Sequence, residues 1–193
     1  MNALSNTETD VIIIGAGPAG LSFARALSGK GLRITVLEQV KEEQLSNPAF
    51  DGREIALTQH SAKLLRGLDI WNRIEAQALS PLRDAKVLNG PNPFSMTISH
   101  SLSGQSELGW LVSNHLIRKA AYESVQAVIA QSQDINLLCG DKVSSLHTDD
   151  QGAHITLSSG AKLAGKLVVA ADSRFSESRR AIGIGADMND FGK

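Results

Sequence analysis

An α/β fold wound around a parallel sheet, with a β-meander late in the chain, follows from three features of the sequence. Residues 11–14 (Val-Ile-Ile-Ile) are an unbroken β-branched run with no polar alternation, the pattern of a strand covered on both faces. A glycine-rich turn, a helical stretch and a second apolar run at 33–37 follow at once, which makes a βαβ unit. A third continuously apolar run, 167–171 (Leu-Val-Val-Ala-Ala), ends at Asp172 after several short segments separated by turn residues.

The composition narrows the function classes. The 193 residues are long for one ordinary domain and short for two. At 42% hydrophobic and 20% charged, the chain has the apolar content of a packed core. Lys plus Arg number 19 against 20 Asp plus Glu, so no basic excess exists to hold a nucleic-acid backbone. Aromatics at 4% argue against a base-stacking surface, and nucleic acid is excluded as a partner. One cysteine rules out an internal disulfide framework and fits a reducing compartment. Five scattered histidines show no ligand spacing, so no metal site is expected. Residues 1–10 are polar, and the run at 11–14 is too short for a secretory or membrane-spanning segment. The expected location is cytoplasmic or at the membrane periphery.

The elements read in order as follows. After the strand at 11–14 comes Gly15-Ala16-Gly17-Pro18-Ala19-Gly20, then a helix over 21–28 with Ala24 and Leu27 on one face. Gly29 and Gly31 stop it, and 33–37 (Arg-Ile-Thr-Val-Leu) is the second strand. Residues 40–52 are polar, contain Pro48 and read as loop. A short apolar piece at 55–57 precedes helices at 61–68 and 71–78. Alternation within 82–103, broken by Asn89-Gly90-Pro91-Asn92-Pro93, predicts a hairpin outside the first βαβ unit, an excursion into a second domain. A breaker-free helix covers 116–130. Short strands are expected at 135–138, 143–147, 154–157 and 162–164, then the apolar strand at 167–171 and a helix starting near Arg174. The predicted domains are 1–80 with 104–193, and a smaller piece at 81–103.

Gly15-x-Gly17-x-x-Gly20 is weak as a bare pattern and informative in this context, between a buried strand and a helix. Gly15 permits the tight turn, Gly17 lets a pyrophosphate approach the backbone, and Gly20 lets helix and strand pack closely. The helix N-terminus then offers free N–H groups and a positive dipole end to phosphate. Glu38 closes the second strand, where a carboxylate accepts hydrogen bonds from ribose hydroxyls and repels a 2′-phosphate. The bland alternative is a helix-capping loop with incidental glycines. Asp172, at the end of the third apolar strand, can hydrogen-bond a sugar-alcohol chain; taken alone it reads more often as a turn or N-cap residue. Cys139, at a strand end, reads as core, and the serines lie in no nucleophile-elbow context.

At these residues the sequence resembles the FAD-dependent aromatic hydroxylases, the p-hydroxybenzoate hydroxylase-like flavoprotein monooxygenases, and within them the UbiH/UbiF/VisC group of ubiquinone biosynthesis. The resemblance runs over 10–192. It is carried by the stretch from Asp10 to Glu38, by Arg53-Glu54-Ile55-Ala56-Leu57 with Ser61, Leu64-Leu65 and Leu68-Asp69-Ile70-Trp71, by Leu108-Gly109-Trp110-Leu111-Val112-Ser113-Asn114, and by Ala171-Asp172-Ser173-Arg174 with Arg179. Ser173 stands where the family has glycine. The family's later Gly-Asp motif and much of its substrate domain are not in this sequence, so an N-terminal half of a longer protein is expected.

The resemblance implies a Rossmann-like FAD-binding domain with parallel sheet and β-meander, into which part of a β-rich substrate domain is inserted. It implies FAD as cofactor, NAD(P)H as co-substrate, and O₂-dependent hydroxylation of an aromatic ring in a polyprenylated phenol or quinol. Gly15, Gly17 and Gly20 would hold the pyrophosphate and Glu38 the adenosine ribose. Arg53 would pair with the pyrophosphate, or be a solvated loop arginine. Asn114 would reach the ribityl or phosphate region, or be a helix N-cap. Asp172 would bind the ribityl chain. No catalytic side chain is expected, because the cofactor carries the hard chemistry. Membrane or biosynthetic-complex contact and self-association are left open. Two other classes compete: a catalytically silent FAD- or ADP-binding module, and an NAD-dependent dehydrogenase.

Overall fold

The computed structural model describes residues 9–102, 104–173 and 175–190. Two compact units divide the chain, Met1–Leu45 with Val125–Lys193, and Ser46–Ser124. The expected helix start at Arg174 and the outer bound of the hairpin at Ser103 lie outside the described residues.

The first unit is built on β1 (Thr9–Ile14). Val11, Ile12, Ile13 and Ile14 are all buried, which is why this run carries no polar alternation. A six-stranded sheet runs in the order β8-β2-β1-β11-β10-β9, with β2 (Ile34–Glu38), β8 (Ile135–Cys139), β9 (Val143–Asp149), β10 (Gly152–Leu157) and β11 (Lys162–Ala170). β1 pairs in parallel with β2 and β11, and β2 in parallel with β8. β9, β10 and β11 are antiparallel neighbours, the meander read from the sequence. Ile12, Ile14 and Leu37 pack in one core with Leu146, Ile155 and Leu157 of that meander.

Helix α1 (Pro18–Leu27) joins β1 to β2. It begins three residues before the expected start, because Pro18 occupies its first turn, where a missing N–H costs nothing and its φ is already helical. The loop expected at 40–52 contains a short helix, α2 (Glu42–Ser46), with Glu42 and Glu43 in its first turn and Leu45 buried. The strands expected separately at 162–164 and 167–171 are one strand. Gly165 pairs with Thr9 on one side and Ala153 on the other. A Cβ there would stand 2.9 Å from the Ile12 side chain, so glycine carries β11 past β1 without interruption.

The second unit contains the antiparallel sheet β3-β7-β4, of β3 (Glu54–Thr58), β7 (Gly109–Ser113) and β4 (Ser80–Leu82). Helix α3 (Gln59–Gly67) is capped by the Thr58 hydroxyl, which accepts the Ser61 N–H at 3.1 Å. The helix expected at 71–78 is two single turns, Trp71–Arg73 and Ala76–Ala78. Trp71 and Trp110 meet edge to face at 5.1 Å, with the Arg66 guanidinium over both rings. The predicted hairpin is present as β5 (Asp84–Leu88) and β6 (Ser95–Ser99). The boundary between the units falls within α4 (Asn114–Ile129).

Asp10 ties three segments of the first unit together. It accepts the Arg33 N–H at 2.9 Å and faces the Lys166 ammonium at 2.7 Å. The Lys166 hydrogen bond and then the Arg33 amide hold its pKa down at about 2, against an ordinary 3.8. A depressed carboxylate pKa contributes stability that is present above the ordinary value and lost as pH falls through the folded one. Urea midpoints measured at descending pH should therefore drop between about pH 4 and 2. Asp10→Asn should lower the midpoint at neutral pH, and its gap to the parent should close toward pH 2.

Candidate nucleotide-binding site

In the first unit the carboxyl ends of β1, β2 and β11 open on a cleft of about 630 Å³. That is the size range of small-molecule sites, at the place where open parallel sheets bind ligands. β1 ends where Gly15 takes a φ of +107°, a conformation that glycine alone adopts freely. The Gly15 N–H donates to the Leu37 carbonyl and the Ala171 N–H to the Ile14 carbonyl, both at 2.8 Å, so the turn is tied to both neighbouring strands.

The three glycines have different surroundings. A Cβ on Gly15 would lie 2.5 Å from the Ala171 carbonyl oxygen, and one on Gly20 would lie 2.0 Å from the Gly15 carbonyl oxygen. Gly17 has open space at that position and lines the cleft. It is the N-cap of α1 and brings no side chain to the first-turn amides. Those donors therefore open on the cleft, with the positive end of the helix dipole behind them.

Glu38 lines the same cleft. Its carboxylate accepts the Ala16 N–H at 2.7 Å and the Val40 N–H at 3.1 Å. Opposite it on β8 is Cys139, whose thiol is pushed up to about 11, first by burial and then by the charges of Glu42, Glu38 and Glu43. At neutral pH the thiol is thereby kept in its protonated, weakly nucleophilic form.

Asp172 also lines the cleft. One carboxylate oxygen accepts the Ser176 hydroxyl and the other the Ser178 N–H at 3.0 Å, an arrangement that organises the entry to α5 (Glu177–Ala181). Burial alone would raise its pKa; the bonds from Ser176 and Ser178 outweigh that and hold it below the ordinary value. Ser173 takes a φ of +90°. The position demands a left-handed backbone, and the serine holds it under strain.

The cleft thus gathers Gly15, Gly17, Glu38 and Asp172, while Gly20 works behind it as a packing residue. Arg53 and Asn114 belong to the second unit. There the Asp51 carboxylate accepts the Arg53 Nε–H at 2.9 Å and the Asn114 side-chain amide at 2.7 Å. Those bonds, Arg53 first, hold Asp51 well below the usual carboxylate range. Sequence reasoning missed Lys142, Ser144 and Arg180, which also line the cleft. Lys142 forms an ion pair with Glu177 at 2.8 Å. No local signal marks them: Lys142 and Ser144 come with the start of β9, and Arg180 with α5.

A parallel sheet with a glycine turn, an uncapped helix start and two strand-end carboxylates on one cleft defines a dinucleotide-binding α/β domain. Residues 8–192 match the family model described as FAD binding domain, and the chain belongs to that family. It is 42% identical over 190 residues to the ubiquinone hydroxylase UbiM of Neisseria meningitidis, covering 96% of this chain and 40% of that protein. It is 30% identical to the ubiquinone hydroxylase UbiL of Rhodospirillum rubrum, covering 95% and 42%, and 26% identical to the 3-demethoxyubiquinol 3-hydroxylase of Escherichia coli, covering 94% and 46%. The chain therefore spans less than half the length of these relatives. Among solved structures it shares its fold with the p-nitrophenol 4-monooxygenase PnpA of Pseudomonas putida (TM-score 0.71, 21% identity, 91% of this chain and 44% of that one). It shares it also with the flavin-dependent monooxygenase PieE in complex with FAD and substrate (TM-score 0.69, 22% identity, 91% and 32%).

FAD is the cofactor of this family, and the cleft fits its adenosine diphosphate portion. The open space at Gly17 would admit a phosphate, the helix start would supply donors, and Glu38 would offer an acceptor to the ribose. Among the described residues no group of three His, Cys, Asp or Glu side chains could hold a metal ion, and no helix is long and apolar enough to cross a membrane.

The strained turn yields two opposite expectations. Ser173→Gly should relieve the strain and, net of the added chain entropy, stabilise by about 1 kcal/mol, raising the melting temperature by about 2–4 °C. Gly20→Ala should force the helix start away from Gly15 and cost about 1–3 kcal/mol or more in the same measurement.

Proposed function

We propose that this chain is the FAD-binding portion of a monooxygenase that hydroxylates the aromatic ring of a polyprenylated phenol or quinol in ubiquinone biosynthesis, using NAD(P)H and O₂. The observation that carries the reading is the 42% identity to a protein named a ubiquinone hydroxylase, extending over 96% of this chain. When bound, FAD supplies the redox chemistry that couples NAD(P)H oxidation to O₂ activation. The protein's part is to bind and orient it.

In this reading the first-turn amides of α1 and the backbone at Gly15 and Gly17 hold the pyrophosphate, with Gly20 letting the helix approach. Glu38 accepts the adenosine ribose hydroxyls, and its charge disfavours a 2′-phosphate there. Asp172 accepts a ribityl hydroxyl. Arg53 pairs with the pyrophosphate, and Asn114 reaches the ribityl or phosphate region. Residues 81–103, which carry the β5–β6 hairpin, are the retained part of a substrate domain. Val87, Met96 and Ile98 lie on one face of that hairpin and are exposed, an apolar surface suited to a prenylated substrate.

A second reading is a catalytically silent FAD- or ADP-binding module, since the groups that line the cleft are ones that bind and orient a nucleotide. Purified protein equilibrated with FAD and desalted should retain a flavin absorbance band if it is the monooxygenase; a colourless protein removes that reading and supports the silent module. NADPH or NADH oxidation by the yellow protein selects the monooxygenase, and its absence the silent module. Gly17→Ala should fold with an unchanged melting temperature, since its methyl meets open space, yet lose FAD about ten-fold or more, because the methyl stands where phosphate must approach.

A further inference from the structure

We infer that Glu38 is a positioning residue for the phosphate turn, separate from any contact it makes with ribose. The inference rests on the nucleotide-site reading above and deepens it. Glu38 closes β2, and its carboxylate reaches the residue 22 positions earlier at the tip of the glycine turn. One oxygen accepts the Ala16 N–H at 2.7 Å and the other the Val40 N–H at 3.1 Å. The side chain therefore bridges the end of β2, its following loop and the turn after β1.

Ala16 has little alternative. It is 2% exposed and sits between two glycines. The inter-strand hydrogen bonds end one residue earlier, where the Gly15 N–H donates to the Leu37 carbonyl. Without Glu38 the Ala16 N–H becomes a buried donor without a partner, which is costly. A turn of this composition has wide conformational freedom, and a ligand that must order it binds more weakly. Glu38 holds the turn in one geometry before a phosphate arrives. Two backbone donors occupy about two of the four acceptor positions of the carboxylate, so ribose hydroxyls can still be received.

The two roles separate by ligand. A pure ribose acceptor matters only to nucleotides with ribose hydroxyls; a residue that shapes the phosphate turn matters to any nucleotide diphosphate. The probes are ADP and 2′,3′-dideoxy-ADP, titrated calorimetrically against the parent chain, Glu38→Gln and Glu38→Ala. Gln preserves volume and offers one acceptor atom where Glu offers two, so it guards against a misfolded alanine variant. Amide hydrogen exchange is measured on the same proteins without ligand. The expected result is a loss of about ten-fold in affinity for both probes, the equivalent of one hydrogen bond. In Glu38→Ala the Ala16 amide should also exchange at least about ten-fold faster, while Gly15, held by Leu37, keeps its rate; Glu38→Gln, with one acceptor left for Ala16 or Val40, should fall between parent and alanine variant. Loss of ADP affinity with dideoxy-ADP affinity unchanged would overturn the inference, as would an unaltered Ala16 exchange rate. A parent that binds neither probe defeats the nucleotide-site reading instead, and Ala16 exchange then decides whether Glu38 holds the turn.

Discussion

Close approach of three backbone segments, with no side chain between them, is the constraint on which the first unit depends. The end of β1 runs against the Ala171 carbonyl on one side and supports the start of α1 on the other; neither Gly15 nor Gly20 has space for a methyl group. The buried isoleucines of β1 hold that strand in the middle of the sheet, so the turn is delivered to one place. A helix start aimed at the strand ends follows, and with it a cleft whose floor is peptide backbone. Backbone amides suit phosphate because they are fixed, neutral donors that need no counter-charge of their own.

Around that floor the acidic residues are already engaged. Glu38 is bonded to Ala16 and Val40, and Asp172 to Ser176 and Ser178. Each is oriented by backbone or hydroxyl donors before any ligand enters, which limits the ordering that binding must supply. In the second unit Asp51 does the same for Arg53 and Asn114. Arg53 lies on the loop before β3 with its side chain 67% exposed and paired with Asp51, so any anion that takes it must compete with Asp51.

The parallel sheet was legible because 11–14, 34–37 and 167–170 are nearly continuous apolar runs, the first two buried with Thr35 their one polar residue, and all three lie in one sheet. The glycine turn was legible because strand, glycines and helix occur in immediate succession. What escaped depended on partners distant in the chain. Gly165 looked like a break between strands and is a crossing point, a distinction set by Ile12 on another strand. The helix at Glu42–Ser46 is a single short stretch whose one buried anchor, Leu45, leaves no periodic signal. Lys142 and Arg180 reach the cleft through pairing and turn geometry that no local pattern encodes. Ser173 carried a visible hint, since a residue standing where relatives use glycine marks a demanding backbone position, and its φ is positive.

β11 belongs to two architectures at once: its first residues close the meander and its last complete the parallel layer, with Gly165 common to both ladders. Adding or removing one residue along it would turn inward-facing side chains outward in both ladders together. Changes of length are accordingly accommodated at the bends, such as those around Asp150 and Ser159, rather than within the nine residues of this shared strand.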